Sequence, residues 1–276
     1  MSDAPARVRP CRADVTASYD IGVDGYEQLW SPVILPAAVA LVPWLGLRDG
    51  SLVLDVGAGT GALASTIRSA APGAKVIALD ASSQMLRVAH VEREVPAVQA
   101  DAIVLPVAAE AVHVVVLAYV LFHLADPLTA VSEAARVLLP GGRVGAVTWA
   151  SQRDEPAQVM WDDALAEAGV PSLPPRRVDT GLDHPQALGT LLRKAGLVPQ
   201  RIWVERLHRQ WDPASFWALA TGLGGRQRLG LIGPDARAVL LARLRARLND
   251  LGPEDYWWEG EVICAVGSKP GSSAGA

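Results

Sequence analysis

Cysteine is scarce in this chain: Cys11 and Cys264 are the only two in 276 residues. They lie at opposite ends with no metal-ligand spacing, which excludes a disulfide scaffold and a cysteine-based metal site. Two free thiols in a reducing compartment are expected. Lysine is nearly missing as well. Lys75, Lys194 and Lys269 are the only lysines among 25 basic residues, and such an arginine skew with heavy alanine marks a GC-rich, bacterial setting. There is no excess of positive charge, since 29 acidic residues leave a formal net charge of −4. A nucleic-acid partner is therefore not expected. No apolar run directly follows Arg7, Arg9 and Arg12, so no secretory leader is expected. The longest apolar stretches, Pro32–Leu47 and Val114–Phe122, are too short for a membrane span, and Pro32, Pro36 and Pro43 break the first. These absences point to a cytoplasmic protein without membrane insertion.

Half the residues are hydrophobic and one fifth are charged, which suits one large α/β domain with some attachment. Residues 1–12 are polar and expected to be disordered. Residues 14–47 read as helical pieces punctuated by proline. From Ser51 the pattern alternates. Buried strands are expected at Ser51–Val56, Lys75–Leu79, Ala97–Ala100, Val112–Ala118 and Arg143–Thr148. Helices are expected at Gly61–Ala71, at Ser82–His90 with Ser82 or Ser83 as N-cap, and from Asp126-Pro127 to Leu139. Continuous apolar strands between helices mean a parallel sheet covered on both faces. Further on, helices are expected at Ala157–Ala168, Pro185–Ala195, Pro213–Thr221 and Pro234–Leu248, and strands at Arg201–Trp211 and Trp257–Gly267.

The first strand–helix turn carries the chemistry. Asp55-Val56-Gly57-Ala58-Gly59-Thr60-Gly61 places three glycines at alternate positions, so the backbone can turn tightly and approach a ligand. The next helix presents unpaired N–H groups there. Asp80 ends the second strand, where an acid can accept both ribose hydroxyls of a nucleoside. Gly57-x-Gly59-x-x-Ala62 also satisfies a dinucleotide pattern. Asp55, however, would repel a pyrophosphate and suit an amino group, and Asp101 could accept a bond from an adenine amine.

These segments resemble the class I S-adenosylmethionine-dependent methyltransferases. Asp55–Gly61, Val76–Leu86, Gln99–Ala102, Tyr119–Pro127 and Leu138–Arg143 are similar to that family's five motifs in order. The closest likeness is to the small-molecule branch related to the ubiquinone and menaquinone methyltransferases, with Asp14–Ser31 resembling its N-terminal helix. The resemblance implies a Rossmann-like, doubly wound α/β fold. Its seven-stranded sheet would be mostly parallel with an antiparallel last strand, under an N-terminal helical cap. It divides the chain into a cap at 1–50, a cofactor-binding core at 51–150, a region of substrate-pocket insertions at 151–268 and a flexible tail at 269–276. It implies S-adenosyl-L-methionine as cofactor. Gly57, Ala58, Gly59 and Gly61 would line its methionyl end with Asp55. Asp80 and Ala81 would hold the ribose, Met85 would pack on the adenine, and Asp101 with Ala102 would read the adenine edge. Ala118 would offer a carbonyl to the amino group, and Tyr19 would close over the carboxylate. Where the family usually has an acid before the fourth strand, this chain has His113, read as a surface substitution.

Methyl transfer needs alignment of the acceptor and, for a weakly acidic acceptor, a base within reach. His123, at the carboxyl edge of the fourth strand, is the first candidate; the other reading is that it only supports its loop. His184 and His208 are weaker candidates. Tyr26, Tyr119 and Trp149 are candidate acceptor contacts. Trp149, Trp161, Trp203, Trp211, Trp217, Trp257 and Trp258 all follow the expected fifth strand, where one or two would face an aromatic or apolar acceptor and the others would be core. The Arg-rich helix with Arg237, Arg243, Arg245 and Arg247 reads as a solvated face. Three alternatives stay open: a cofactor-binding relative that cyclises, decarboxylates or rearranges its substrate, a nicotinamide-dependent oxidoreductase, and an inactive interaction protein. Oligomeric state, a homodimer included, is also open. The expected partner is a small-molecule acceptor from secondary metabolism, with no metal.

Overall fold

The computed structural model describes residues 12–172 and 180–271. The expected disorder covers residues 1–12; Arg12 instead begins a helix, while residues 1–11, Cys11 among them, and the last five residues of the expected tail lie outside the described residues. Helix α1 (Arg12–Ile21), a single turn α2 (Val23–Gly25), a π-helical turn at Tyr26–Trp30 and α3 (Ser31–Val39) lead into strand β1 (Leu52–Val56). Then α4 (Ala64–Ala70), β2 (Lys75–Asp80), α5 (Ser83–Arg93), β3 (Ala97–Gln99), β4 (Val112–Ala118), α6 (Pro127–Val137) and β5 (Leu138–Arg153) alternate. The remainder comprises α7 (Pro156–Glu167), α8 (Pro185–Lys194), β6 (Val198–Gln210), α9 (Pro213–Leu219), α10 (Arg226–Leu229), α11 (Pro234–Asn249) and β7 (Trp257–Ser268). Among the described residues no helix is long and apolar enough to cross a membrane.

One seven-stranded sheet runs in the order β3-β2-β1-β4-β5-β7-β6. The first five strands are mutually parallel, and β7 is antiparallel to both β5 and β6. The central strands β1 and β4 and the middle of β5 are apolar because both of their faces are covered. Val53, Val76, Val114, Val116 and Val147 pack on the side of α3 and α4. Leu54, Val56, Val115, Leu117 and Ala146, alternating with them, pack on the side of α6 and α8. Successive side chains point to opposite faces, so each valine-rich run supplies both cores.

Several boundaries differ from expectation, and three of them have a clear physical reason. Helix α4 starts at Ala64 rather than Gly61, because Gly61 adopts φ +74°, outside the right-handed helical region. Helix α6 stops at Val137, since Leu138 is already extended and pairs with Val112 of β4. Strand β5 continues to Arg153, held by β7 through Ser151, Gln152 and Arg153 opposite Glu261, Gly260 and Glu259. This extension carries the β5–β7 pair beyond the carboxyl ends of the parallel strands and raises a wall beside them.

His113 is not the surface substitution expected. It is half-buried, and its Nδ1 accepts the Leu52 N–H at 3.1 Å, serving a donor at the start of β1. Replacing it leaves that donor unserved. His113→Ala is expected to cost about 1 kcal/mol, read as a fall of about 2–4 °C in the thermal unfolding midpoint. An unchanged midpoint would show that water replaces the ring.

Candidate active site

The glycine turn is held by the neighbouring strand. The N–H groups of Gly57 and Ala58 both donate to the Leu79 carbonyl, at 2.7 and 3.0 Å. Gly57, Gly59 and Gly61 have φ values of +70°, +54° and +74°, a region that side chains disfavour. A Cβ on Gly57 would also collide with Val120, and one on Gly61 would stand 3.0 Å from the Ala89 Cβ. Gly57 thus keeps the turn open, and Gly61 lets α5 pack beneath it.

Asp80 closes the turn from β2. One carboxylate oxygen accepts the Gly59 N–H at 2.8 Å and the other accepts the Ser82 N–H at 2.8 Å. A carboxylate has about four acceptor sites, so capacity remains toward a ligand. Burial raises its pKa, while bonds from Ser82, Gly59 and Ala81 oppose the rise. Asp55 lies behind the turn, 3% exposed, and burial followed by the nearby Asp80 pushes its carboxyl up to about 7. Among the described residues no lysine or arginine pairs with either acid.

The N-terminal segment is latched over this turn. Asp20 of α1 accepts the Ser82 hydroxyl, and Ser82 in turn caps α5 by accepting the Met85 N–H at 3.1 Å. Glu27 pairs with Arg93, whose guanidinium also reaches the Thr60 carbonyl. The Tyr119 hydroxyl donates to the Ile34 carbonyl at 2.9 Å. Tyr119 itself sits at φ +63°, strain that the surrounding contacts sustain. The Tyr19 hydroxyl lies 3.1 Å from Nε2 of His123.

Together these elements enclose a cavity of about 430 Å³. Of the residues expected in the cofactor site, Tyr19, Gly57, Gly59, Asp80, Ala81, Met85, Asp101, Ala102 and Ala118 line it. Asp55, Ala58 and Gly61 are not part of the lining; they shape the turn from behind. Asp101 uses one oxygen to accept the Ile103 N–H at 3.1 Å, which fixes the loop after β3. Tyr26, Tyr119, Trp149 and His123 line the same cavity. Burial, then the charges of Tyr19 and Asp80, raise the Tyr26 phenol further above its usual range. His184 and His208 stand elsewhere, the first exposed beside Asp183 and the second stacked on Trp257.

Among the tryptophans, Trp149, Trp211 and Trp258 reach the cavity, while Trp161 and Trp217 pack edge to face at 5.9 Å. Trp30 and Glu155 are among the lining residues that the sequence did not single out. Trp30 belongs to the π-helical turn and meets Trp149 and Trp258 at centroid distances of 6.3 and 5.2 Å. Glu155, just before α7, is 5% exposed, and burial raises its carboxyl to about 7. Nothing in its local sequence separates it from a surface acid.

Residues 54–146 match the methyltransferase domain family. Over 169 residues the chain is 30% identical to the demethylmenaquinone methyltransferase of Renibacterium salmoninarum, covering 59% of this chain and 68% of that one. This chain belongs to the class I S-adenosylmethionine-dependent methyltransferase family. S-adenosyl-L-methionine is the cofactor of that family. The demethylmenaquinone methyltransferase of Mycobacterium sp. strain KMS is 35% identical over 124 residues, or 45% of this chain and 53% of the relative. The chain thus spans about half the length of some curated relatives it matches. The solved [4+2]-cyclase SpnF shares the fold, with a TM-score of 0.59 at 20% identity over 98% of this chain and 100% of that one.

The site of this methyltransferase-family chain fits such a cofactor on its own geometry. The glycine backbone leaves an open cradle, Asp80 keeps acceptor capacity, and the acids behind the cradle have no cation of their own. Asp80→Ala is expected to weaken S-adenosylhomocysteine binding by at least tenfold, from charge-assisted bonds of about 1.5–3 kcal/mol each. Calorimetry on the folded variant measures it, and unchanged affinity removes Asp80 from the site. Asp55 generates a pH prediction. Its folded pKa of about 7 exceeds the ordinary 3.8, so the folded chain holds the proton more tightly than the unfolded one. Its contribution is least unfavourable below the unfolded value, worsens as pH rises toward about 7, and is fully unfavourable above. Asp55→Asn should therefore raise the unfolding midpoint at pH 8, with a smaller gain at pH 5. Equal gains at both would assign the effect to packing.

Proposed function

We propose that this chain transfers a methyl group from S-adenosyl-L-methionine to a small acceptor with an aromatic or apolar body. One observation carries the reading: a single cavity joins the glycine–Asp80 cradle at β1 and β2 to an indole wall at β5 and β7. The sheet order puts these on either side of β4, where His123 and Tyr119 stand. The cofactor supplies a methyl group already activated on a sulfonium, so the protein's part is alignment, exclusion of water and proton removal.

Asp80 would hold the ribose, Met85 would cover the adenine face, and Asp101 with Ala102 would meet its edge. The acid at Asp55 would favour the amino end. Tyr19, carried by α1, would close the methionyl side, and its bond to His123 ties that closure to the acceptor side. Trp30, Trp149, Trp258 and Tyr119 would sandwich a flat acceptor body. His123 at the carboxyl end of β4 would take the acceptor's proton. In this reading residues up to 50 cap the cavity, 51–150 form the cofactor core, and 151–268 complete the acceptor side. The arginine-rich composition and the bacterial relatives support a bacterial setting, and a cytoplasmic enzyme of secondary metabolism is part of the proposal.

Incubation of the chain with S-adenosyl-L-methionine and a panel of aromatic acceptors should release S-adenosylhomocysteine. Tight cofactor binding with no such product across the panel would instead support the non-methylating alternative. His123→Ala should lower turnover by about 10²–10⁴-fold while S-adenosylhomocysteine affinity stays nearly intact. Full turnover in that variant retires His123 as the base and leaves it a support for its loop.

A further inference from the structure

The cavity has a charge pattern that methyl transfer alone does not require. Among the described residues its lining contains no lysine or arginine. On the β5–β7 side it carries three acids, Asp154, Glu155 and Asp162. Asp162 is neutralised by Arg228 and bonded by the Gln158 amide. Asp154 is exposed at the rim. Glu155 differs from both.

Glu155 is 5% exposed and occupies the N-cap position of α7, yet its side chain makes no bond to that helix's first turn. The bond acting on its carboxyl comes from its own main-chain N–H. No ion pair involves it among the described residues. Burying an ionisable group with so little compensation is unfavourable. A surface acid would do if α7 needed only a start, because its Pro156 already suits the first helical position.

The indoles on the same wall point to what would complete this carboxyl. Trp30, Trp149 and Trp258 contact one another, with Trp149 and Trp258 at 6.0 Å and 89°. Gly260 leaves them room, since a Cβ there would stand 3.1 Å from Trp258 and 3.2 Å from Trp149. Indole faces attract cations, most strongly where water is excluded. A buried carboxyl, several indole rings and no lining lysine or arginine among the described residues complement a positive charge and oppose a negative one.

We propose that Glu155 and the Trp30–Trp149–Trp258 wall form a subsite for a protonated amino group on the acceptor, which is therefore an amine with an aromatic or apolar body. The inference rests on the methyltransferase reading for the ligand's role as acceptor. Glu155 acts here as a specificity and positioning group: it anchors the ammonium by a charge-assisted hydrogen bond and fixes which atom faces the methyl donor. Carboxylate- or phosphate-bearing acceptors are disfavoured, because their charge would stand beside Glu155 with no cation to offset it.

Three indoles of one shape but different charge test this: tryptamine, the neutral tryptophol and the anionic indole-3-propionate. Each is titrated by calorimetry into the full chain saturated with S-adenosylhomocysteine. Tryptamine should bind about tenfold or more tighter than tryptophol, with indole-3-propionate weakest. Glu155→Gln should reduce the preference for tryptamine to within about twofold with S-adenosylhomocysteine affinity retained. If that variant does not fold, Glu155→Asp must show a reduced preference at retained S-adenosylhomocysteine affinity. Equal or tighter binding of the neutral or anionic probe, no binding of tryptamine, or an undiminished preference in the variants overturns the inference. So does a selective loss of S-adenosylmethionine over S-adenosylhomocysteine affinity with the amine preference intact, which would assign Glu155 to the sulfonium. Failure of the unmodified chain to bind S-adenosylhomocysteine sinks the methyltransferase reading itself, whereas the other outcomes leave that reading standing.

Discussion

The bond from the Gly59 N–H to the Asp80 carboxylate ties the first strand–helix turn to the end of the second strand, and the rest of the site is arranged around it. It holds a backbone that only glycine adopts freely against an acid that burial makes reluctant to ionise. Asp80 adds to the effect of burial in raising the Asp55 carboxyl, and among the described residues no lysine or arginine pairs with either acid. Such a site is electrostatically incomplete. A ligand with hydroxyls for Asp80 and positive charge nearby completes it, and a pyrophosphate would worsen it. On the proposed reading, the glycine spacing that serves dinucleotides in other folds would for this reason favour a sulfonium nucleoside here.

The two sides of the cavity come from different structural devices. The glycine–Asp80 cradle is a strand–turn–helix–strand unit, from Leu52 of β1 to Asp80 of β2. The side proposed for the acceptor is a wall, formed because β5 and β7 outlast their parallel neighbours and because the N-terminal turn brings Trp30 against them. The two are joined by latches of long sequence separation. Asp20 binds Ser82, Glu27 binds Arg93, and Tyr19 meets His123. A motion of the first thirty residues would therefore disturb the start of α5, the glycine turn and the surroundings of His123 together, because the latches end on Ser82, on Arg93 with its bond to Thr60, and on His123.

The alternating core was legible because its signals are local. Valine-rich strands covered on both faces, a serine cap before α5 and an Asp-Pro start before α6 act within a few residues. The misreadings lie where a distant partner decides. Ser151–Arg153 is polar and exposed, and only pairing with Glu259–Glu261 makes it a strand. His113 looks like a surface residue until β1 is placed beside β4, which puts Leu52 N–H over its ring. Trp30 carries no sign of its destination because it lies in an irregular helical turn about 120 residues from Trp149.

Short segments suffice for the sheet, the glycine turn and the acid opposite it, because hydrophobic period and backbone freedom are local properties. Which tryptophans face the cavity, which histidine meets a tyrosine and which of three neighbouring acids is buried were settled by long-range packing. Those outcomes depend on how much solvent each side chain loses when distant elements close over it. Glu155 makes the difference plain: its sequence neighbours are ordinary surface residues, and its chemistry follows from being covered.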